Sequence, residues 1–185
     1  MIKVMIWIKT TIIILMHAQA YAADTSVEVL LKMPLDEKRG YCIDVVGSQA
    51  RADVSRPLQA HSCYSYEGRV AVDQGFDVVQ LQADAFRLIH FDLCMSGELR
   101  EGGLLTLAAC SDHPAKKFMW LPSGAISPRN APNLCVTAAD GLGMPGNGGS
   151  PVHLRRKLSL EKCDKSRAAY QTWRYRATFE RVAGE

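Results

Sequence analysis

A motif that recurs three times constrains the fold of this 185-residue chain more than any other feature. Its most complete copy spans Leu134 to Trp173. That copy has an apolar segment with a cysteine near its start, a Gly/Pro-rich loop, a second apolar segment ending near a cysteine, and a closing Gln-x-Trp. The apolar segments alternate with a period of two, which is typical of half-buried β-strands. Weaker copies begin at Tyr41 and Leu93.

The spacing of the copies indicates a repeat architecture. The first cysteines of successive copies are 52 and 41 positions apart, and the closing aromatic residues are 44 and 53 apart. A unit of three or four short strands cannot bury its apolar face alone, so the copies must share one core, most simply around a pseudo-threefold axis. The residues expected to meet in that core are Phe76, Trp120 and Trp173.

The three copies resemble the ricin-type (ricin B-like) β-trefoil lectins, whose repeats have a C-x-D start, a second cysteine and a closing Q-x-W. Gln171-Thr172-Trp173 fits that closing motif fully, Gln74-Gly75-Phe76 has Phe for Trp, and Phe118-Met119-Trp120 keeps only the Trp. The resemblance covers residues 27 to 175. It implies an all-β, bacterial secreted β-trefoil with repeats at about 27–80, 81–124 and 125–176.

The repeats also select one pairing among those that six cysteines allow. Each unit is expected to contain its own disulfide. No C-x-x-C pair or histidine cluster indicates zinc, and neither a metal nor another cofactor is expected. The predicted disulfides are Cys42 with Cys63, Cys94 with Cys110, and Cys135 with Cys163.

The first 22 residues are typical of a secretory signal peptide. Lys3 and Lys9 give a positive start, Thr10 to Met16 is apolar, and Ala20-Tyr21-Ala22 provides a small-x-small cleavage site. The alternative, a retained membrane anchor, would be short for a span. We therefore expect a single mature domain at 23–180, with no membrane span, in the periplasm or outside the cell.

The charge balance argues against nucleic acid as the main partner. The chain has 22 basic and 19 acidic residues, a formal charge of +3, and loss of Lys3 and Lys9 with the signal leaves +1. The run Arg155-Arg156-Lys157 is either a solvated surface or a contact for an anionic ligand.

The resemblance implies one sugar site, in repeat one. Asp44 stands where the family's aspartate accepts hydrogen bonds from sugar hydroxyls, with Gln59 and Gln74 as amides. His61 occupies the position of the stacking ring, where Trp or Tyr is commoner, and Asp73 stands where Asn is usual. The alternative roles are structural: Asp44 as a turn residue and Gln74 as a buried amide.

Repeats two and three have lost most of these side chains and are expected to bind no sugar. The residues at the positions equivalent to Asp44, Gln59 and His61 are Ser96, Thr106 and Ala108 in repeat two, and Thr137, Ser159 and Glu161 in repeat three.

Gly141 to Gly146 has a formal G-x-G-x-x-G spacing. Pro145 and the lack of a βαβ unit exclude a dinucleotide site, so we expect a mobile loop whose role is open.

Elsewhere the pattern predicts short strands at Val27–Met33, Tyr41–Val45 and Leu58–His61. A linking strand pair is expected at Val78–Gln82 and Phe86–Phe91. No nucleophile–base arrangement stands out, so no enzyme activity is expected.

Two functions remain open: a secreted carbohydrate-binding module, and a protein-interaction trefoil with decayed sugar sites, similar to the ricin-like subunits of cytolethal distending toxins. Convergence of Asp44, Gln59, His61 and Gln74 on one open pocket would favour the first. A buried Gln74 under a covered His61 would favour the second.

Overall fold

Strands dominate the computed structural model, which describes residues 25–65 and 68–177. The predicted signal peptide lies outside these residues. Repeat one contributes β1 (Ser26–Leu31), β2 (Tyr41–Asp44), β3 (Gln59–Ser62) and β4 (Gly75–Asp77). Repeat two contributes β5 (Arg87–Leu88), β6 (Leu93–Gly97), β7 (Gly103–Ala109) and β8 (Phe118–Trp120). Repeat three contributes β9 (Ile126–Pro128), β10 (Leu134–Ala138), β12 (Leu154–Lys162) and β13 (Trp173–Ala177), and an additional short strand, β11 (Met144–Pro145).

The first and fourth strands of the repeats form a closed ring. β1 pairs with β4 and β13, β4 pairs with β5, and β8 pairs with β9. A hydrogen bond from Phe118 N to Asp84 O (3.0 Å) joins β8 to the start of repeat two, and a bridge between Ala125 and Thr172 joins β9 to β13. The β8–β9 pair forms a sheet of its own, and these two contacts connect it to the other strands of the ring.

The second and third strands of each repeat form a hairpin, and the three hairpins meet at β12. The hairpins are β2–β3, β6–β7 and β10–β12. β12 also pairs with β3 and with β7, so the repeat-three hairpin contacts both of the others. The structure contains the three predicted disulfides, one in each repeat: Cys42–Cys63, Cys94–Cys110 and Cys135–Cys163.

The core lies where the closing aromatic residues of the repeats converge. Phe76 and Trp173 are buried, and the Phe86 ring lies 6.2 Å from that of Phe76 and 5.9 Å from that of Phe118. Trp120 packs against this core but stays partly exposed, because Phe118 fills the interior position of its repeat.

The predicted strand at Val78–Gln82 is wrong. These residues form the short helix α1 (Val78–Gln82), since the Asp77 carboxylate accepts hydrogen bonds from the amides of Val79 and Gln80 and caps the helix. The predicted strand at Phe86–Phe91 is reduced to β5.

A second short helix, α2 (Ala168–Gln171), precedes the closing Trp173. Single 3₁₀ turns lie at Gln49–Arg51, Pro114–Lys116 and Lys165–Arg167.

No helix in residues 25–65 and 68–177 is long and apolar enough to cross a membrane.

Removal of the repeat-two disulfide should destabilise the fold measurably. The bond closes a loop with a sequence separation of 16, and restriction of the unfolded chain by such a loop contributes about 3 kcal/mol. We expect the variant Cys94→Ala/Cys110→Ala to lose that much free energy of unfolding in urea titrations of the oxidised proteins. An unchanged midpoint and slope would contradict this expectation.

Candidate functional site

Three of the sequence-predicted site residues contact one another in the first hairpin. Asp44 on β2 lies opposite Gln59 on β3. Gln59 Nε2 donates to Asp44 Oδ1 (2.8 Å), and Gln74 Nε2, from the segment before β4, donates to Asp44 Oδ2 (2.9 Å). Both carboxylate oxygens of Asp44 are therefore already hydrogen-bonded within the protein.

The Gln74 side chain also bonds the backbone at the end of the repeat-one hairpin. Its Nε2 also donates to Ser62 O (3.0 Å), and its Oε1 accepts from Tyr64 N (3.1 Å). Ser62 O and Tyr64 N lie on either side of Cys63 in the chain, so these bonds fix the backbone at the end of β3. The Gln74 side chain is fully buried.

Gln171 makes the same three contacts in repeat three. Its Nε2 donates to Thr137 Oγ1 (2.9 Å) and Lys162 O (2.9 Å), and its Oε1 accepts from Asp164 N (2.8 Å). Thr137 stands where Asp44 stands in repeat one, so the arrangement does not need a carboxylate. The closing glutamine is buried in both repeats that have one, so burial of Gln74 alone does not discriminate between the two functions.

Asp44 is 2% exposed and lies below the surface of the hairpin. Burial and the nearby Asp73 carboxylate raise the pKa of Asp44 well above its usual range, although the amides of Gln59 and Gln74 favour the ionised form. Both oxygens of the Asp44 carboxylate thus accept hydrogen bonds from within the protein, and its ionisation costs free energy.

Asp73 supports the loop beside the hairpin. Its Oδ2 accepts from Gln49 N (2.6 Å) at the start of the 3₁₀ turn, while its buried Oδ1 has no hydrogen-bond partner among the described residues. Burial raises the pKa of Asp73. Like Asp44, Asp73 points into the protein.

His61 is covered rather than open. It is 5% exposed, and its ring lies 5.4 Å from the Tyr64 ring and 5.3 Å from the His153 ring. Burial lowers the pKa of His61 to about 4, so the imidazole is neutral near pH 7. A β-carbon on Gly146, in the repeat-three insertion, would come within 3.1 Å of His61 Nε2, which shows how closely the insertion approaches this ring.

The insertion at 141–152 is fixed to repeat one, whereas the sequence predicted a mobile loop. β11 pairs with β12, Gly143 N donates to Asp36 Oδ2 (2.7 Å), and Arg39 Nη1 donates to Pro151 O (3.1 Å). A β-carbon at Gly143 would lie 2.1 Å from the Tyr41 hydroxyl, so this approach requires glycine.

Two charged residues hold this insertion in place: Asp36, which the sequence did not indicate, and Arg156, which is buried and therefore is not part of a solvated surface. Arg156 is buried, and its guanidinium donates to Asp36 (2.5 Å) and stacks over the Tyr41 ring at 4.8 Å. Burial opposes ionisation of Asp36, but the bonds from Gly143, Arg156 and Tyr41 outweigh it and lower its pKa to about 2. The charged turn after β1 offered no sequence signal for this role.

A second ion pair lies beside the first. Arg39 Nη2 donates to Glu37 Oε2 (2.7 Å), and Ser62 Oγ donates to the same oxygen (2.5 Å). Burial opposes ionisation of Glu37, yet these bonds lower its pKa to about 2. Both acidic residues of the turn are therefore neutralised by arginine.

Above the hairpin lies an open cleft made from repeats one and three. A cavity of about 240 Å³ is bordered by Gln59 and His61 on one side and by the insertion on the other. A neighbouring cavity of about 210 Å³ shares part of its wall and extends the cleft along β12. Asp44, Asp73 and Gln74 do not line either cavity. The residues common to both are Val46, Arg56, Gln59 and Arg155.

Several solved structures are similar to this chain. The Haemophilus ducreyi cytolethal distending toxin is 17% identical over 91% of this chain and 94% of its own, with a TM-score of 0.55. The Abrus precatorius agglutinin is 16% identical over 85% of this chain, with a TM-score of 0.57, and this chain spans 51% of it. The β-trefoil lectin of the Vibrio vulnificus hemolysin/cytolysin, solved with N-acetyl-D-lactosamine bound, is 17% identical over 84% of this chain and 96% of its own, with a TM-score of 0.52.

These likenesses establish the fold. The chain is a β-trefoil, as the ricin-type resemblance of its repeats predicted. No protein-family model matches the sequence, and no curated protein does.

Asp44 variants should separate its structural contacts from its charge. Asp44→Ala removes an acceptor from buried Gln74, which should cost about 1–3 kcal/mol of unfolding free energy. Asp44→Asn can accept from Gln74 and donate to a reoriented Gln59, so it keeps the contacts without the charge. Ser96→Ala, at the equivalent position of repeat two, is the matched control and should change little.

The pH dependence of the same variants tests the raised pKa. The folded protein holds the Asp44 proton to higher pH than the unfolded chain, so the contribution of Asp44 to wild-type stability falls as pH rises above about 4. Asp44→Asn lacks this loss, and its advantage over wild type should grow between about pH 4 and neutrality, by about 1.4 kcal/mol for each unit of pKa shift. Parallel stability curves for the two proteins would show that the pKa is not raised.

Proposed function

We propose that this protein is a secreted carbohydrate-binding trefoil whose ligand site is the cleft over the repeat-one hairpin. The observation that supports this most directly is the fixed amide of Gln59. Its Nε2 is committed to Asp44, so its Oε1, which has no partner among the described residues, remains as an acceptor at the cleft wall. Fixed amide acceptors of this kind suit sugar hydroxyls.

The insertion supplies a second amide. Asn147 is exposed and lines the cleft opposite Gln59. The ligand would therefore contact two repeats, whereas in the ricin-type pattern the contacts come from one. In this arrangement Asp44 positions Gln59 and makes no sugar contact itself, and His61 forms the floor of the cleft rather than a stacking face.

Export and oxidative folding suit this function. Three disulfides in a domain of this size are typical of proteins that fold in an oxidising compartment. A single small site implies weak binding, around the millimolar range, unless several molecules act together. We propose binding without catalysis, in the periplasm or outside the cell.

Glycan binding by the oxidised mature protein, from residue 23 onward, tests the proposal. An array would identify a ligand, and titration calorimetry would then compare Gln59→Ala and Asn147→Ala with wild type. Loss of one neutral hydrogen bond should weaken binding about threefold to tenfold for each variant.

Thr106→Ala is the matched control, because Thr106 occupies the position of Gln59 in the repeat-two hairpin and should leave affinity unchanged. Absence of glycan binding by a folded protein with intact disulfides would refute the proposal. Equal binding by wild type and both cleft variants would place any sugar site elsewhere.

A protein-interaction role is the second candidate, and the insertion provides its support. Leu142 is 85% exposed, and Met144 and Val152 are each about half exposed. Apolar side chains grouped on one exposed segment are typical of partner contacts. A buried Gln74 under a covered His61 is also the arrangement expected for this alternative, and both are observed.

A photo-crosslinking residue at position 142 tests the second candidate in the secreting cell. A partner that docks on the insertion should give one discrete adduct from position 142 and none from position 99, where Leu99 is exposed in repeat two. Identical adduct patterns from both positions would reject a specific contact. The mass of a discrete adduct would identify the partner by its size.

A further inference from the structure

Basic side chains surround the proposed cleft. On β12, Arg155 lies opposite His61 and Lys157 lies opposite Gln59. Alternate residues of a strand share one face, so Arg155 and Lys157 lie on the cleft side while Arg156, between them, is buried. Arg56 lines both cavities as well.

No salt bridge in residues 25–65 and 68–177 neutralises these three cations. Arg155 makes one long hydrogen bond to Pro145 O (3.4 Å), and Arg56 acts on Asp53 only at longer range. The lining of the two cavities contains no aspartate or glutamate.

Three carboxylates of repeat one are already paired with other groups, and Asp53, which Arg56 influences, accepts hydrogen bonds from Ser55. Asp36 is paired with Arg156, Glu37 with Arg39, and Asp44 with two amides. The cleft thus holds a net positive charge between walls that are partly apolar, and such walls strengthen the field felt by a ligand.

We propose, on the basis of the carbohydrate-binding function above, that the cleft binds an anionic sugar, one that bears a carboxylate or a sulfate group. The guanidinium of Arg155 can donate two parallel hydrogen bonds to either group, and Lys157 and Arg56 add charge. A charged sugar also explains how binding proceeds without an aromatic stacking platform.

The acceptor on Gln59 separates a sugar from other anions. Gln59 Oε1 faces a ligand that must donate a hydrogen bond, while Arg155 faces a group that must accept. A sugar acid or sulfated sugar offers hydroxyl donors and anionic acceptors on one ring. Carboxylate side chains offer only acceptors, so an acidic peptide could donate to Gln59 only through a backbone N–H.

Matched oligosaccharides test the charge of the ligand. Tetragalacturonate and its full methyl ester have the same rings with and without carboxylates, and a sulfated carrageenan tetrasaccharide with its desulfated form does the same for sulfate. We expect the charged member of at least one pair to bind at least tenfold more tightly than its neutral form, and that preference to shrink as salt rises.

Charge-removing variants connect that preference to the cleft. Arg155→Gln and Lys157→Gln should each reduce affinity for the charged sugar about fivefold to tenfold and affinity for its neutral form by less, so that the ratio of the two affinities falls. Arg174→Gln removes the same charge from an exposed position on β13 that does not line the cleft, and should have no effect.

The outcomes distinguish this inference from the proposed function. Equal affinity for charged and neutral sugars, with no effect of Arg155→Gln, would overturn the anionic specificity and leave carbohydrate binding intact. No binding of any sugar would overturn both. Binding of tetraglutamate as tight as that of the sugars, and equally sensitive to Arg155→Gln, would overturn the sugar as the ligand class.

Discussion

Pairing of the first strand with the last closes the barrel, and the remaining structure depends on that closure. β1 and β13 pair in continuous register from Val27 opposite Ala177 to Leu31 opposite Trp173. Once the ring is closed, the three hairpins must share one end of the barrel, since each is attached to two ring strands. Their contact through β12 follows from this constraint. A gap between two hairpins is therefore lined by side chains of two repeats.

In the repeat-one hairpin, residues at the positions expected to bind sugar make structural contacts instead. Gln74 closes its hairpin with the same three hydrogen bonds that Gln171 makes in repeat three. In repeat one, however, the acceptor is the carboxylate of Asp44, which then also orients Gln59. The groups that face solvent are therefore Oε1 of Gln59 and the basic side chains of β12.

Covalent and periodic features of the fold were predictable from the sequence, because they depend on local spacing. The disulfide pairing and the hairpins follow from the cysteine intervals and the two-residue alternation. The helix α1 was missed because one capping carboxylate, Asp77, outweighs an alternating pattern of five residues. The candidate residues were found, but the burial of Asp44 and His61 was not, since contacts distant in sequence determine it: Gln74, which donates to Asp44, is 30 positions away, and the His153 ring beside His61 belongs to repeat three.

The contact of the insertion with repeat one has a consequence for the internal symmetry of the domain. Three similar repeats could in principle be exchanged or copied, and each would bring its own site. Here the cleft takes Gln59 from repeat one and Asn147 and Arg155 from repeat three, so the site proposed for it is divided between two repeats. A transplanted repeat would carry half of the binding groups to its new position. The trefoil thus has a symmetric backbone, but its repeats are not interchangeable. Transfer of the cleft to another trefoil would require repeats one and three together.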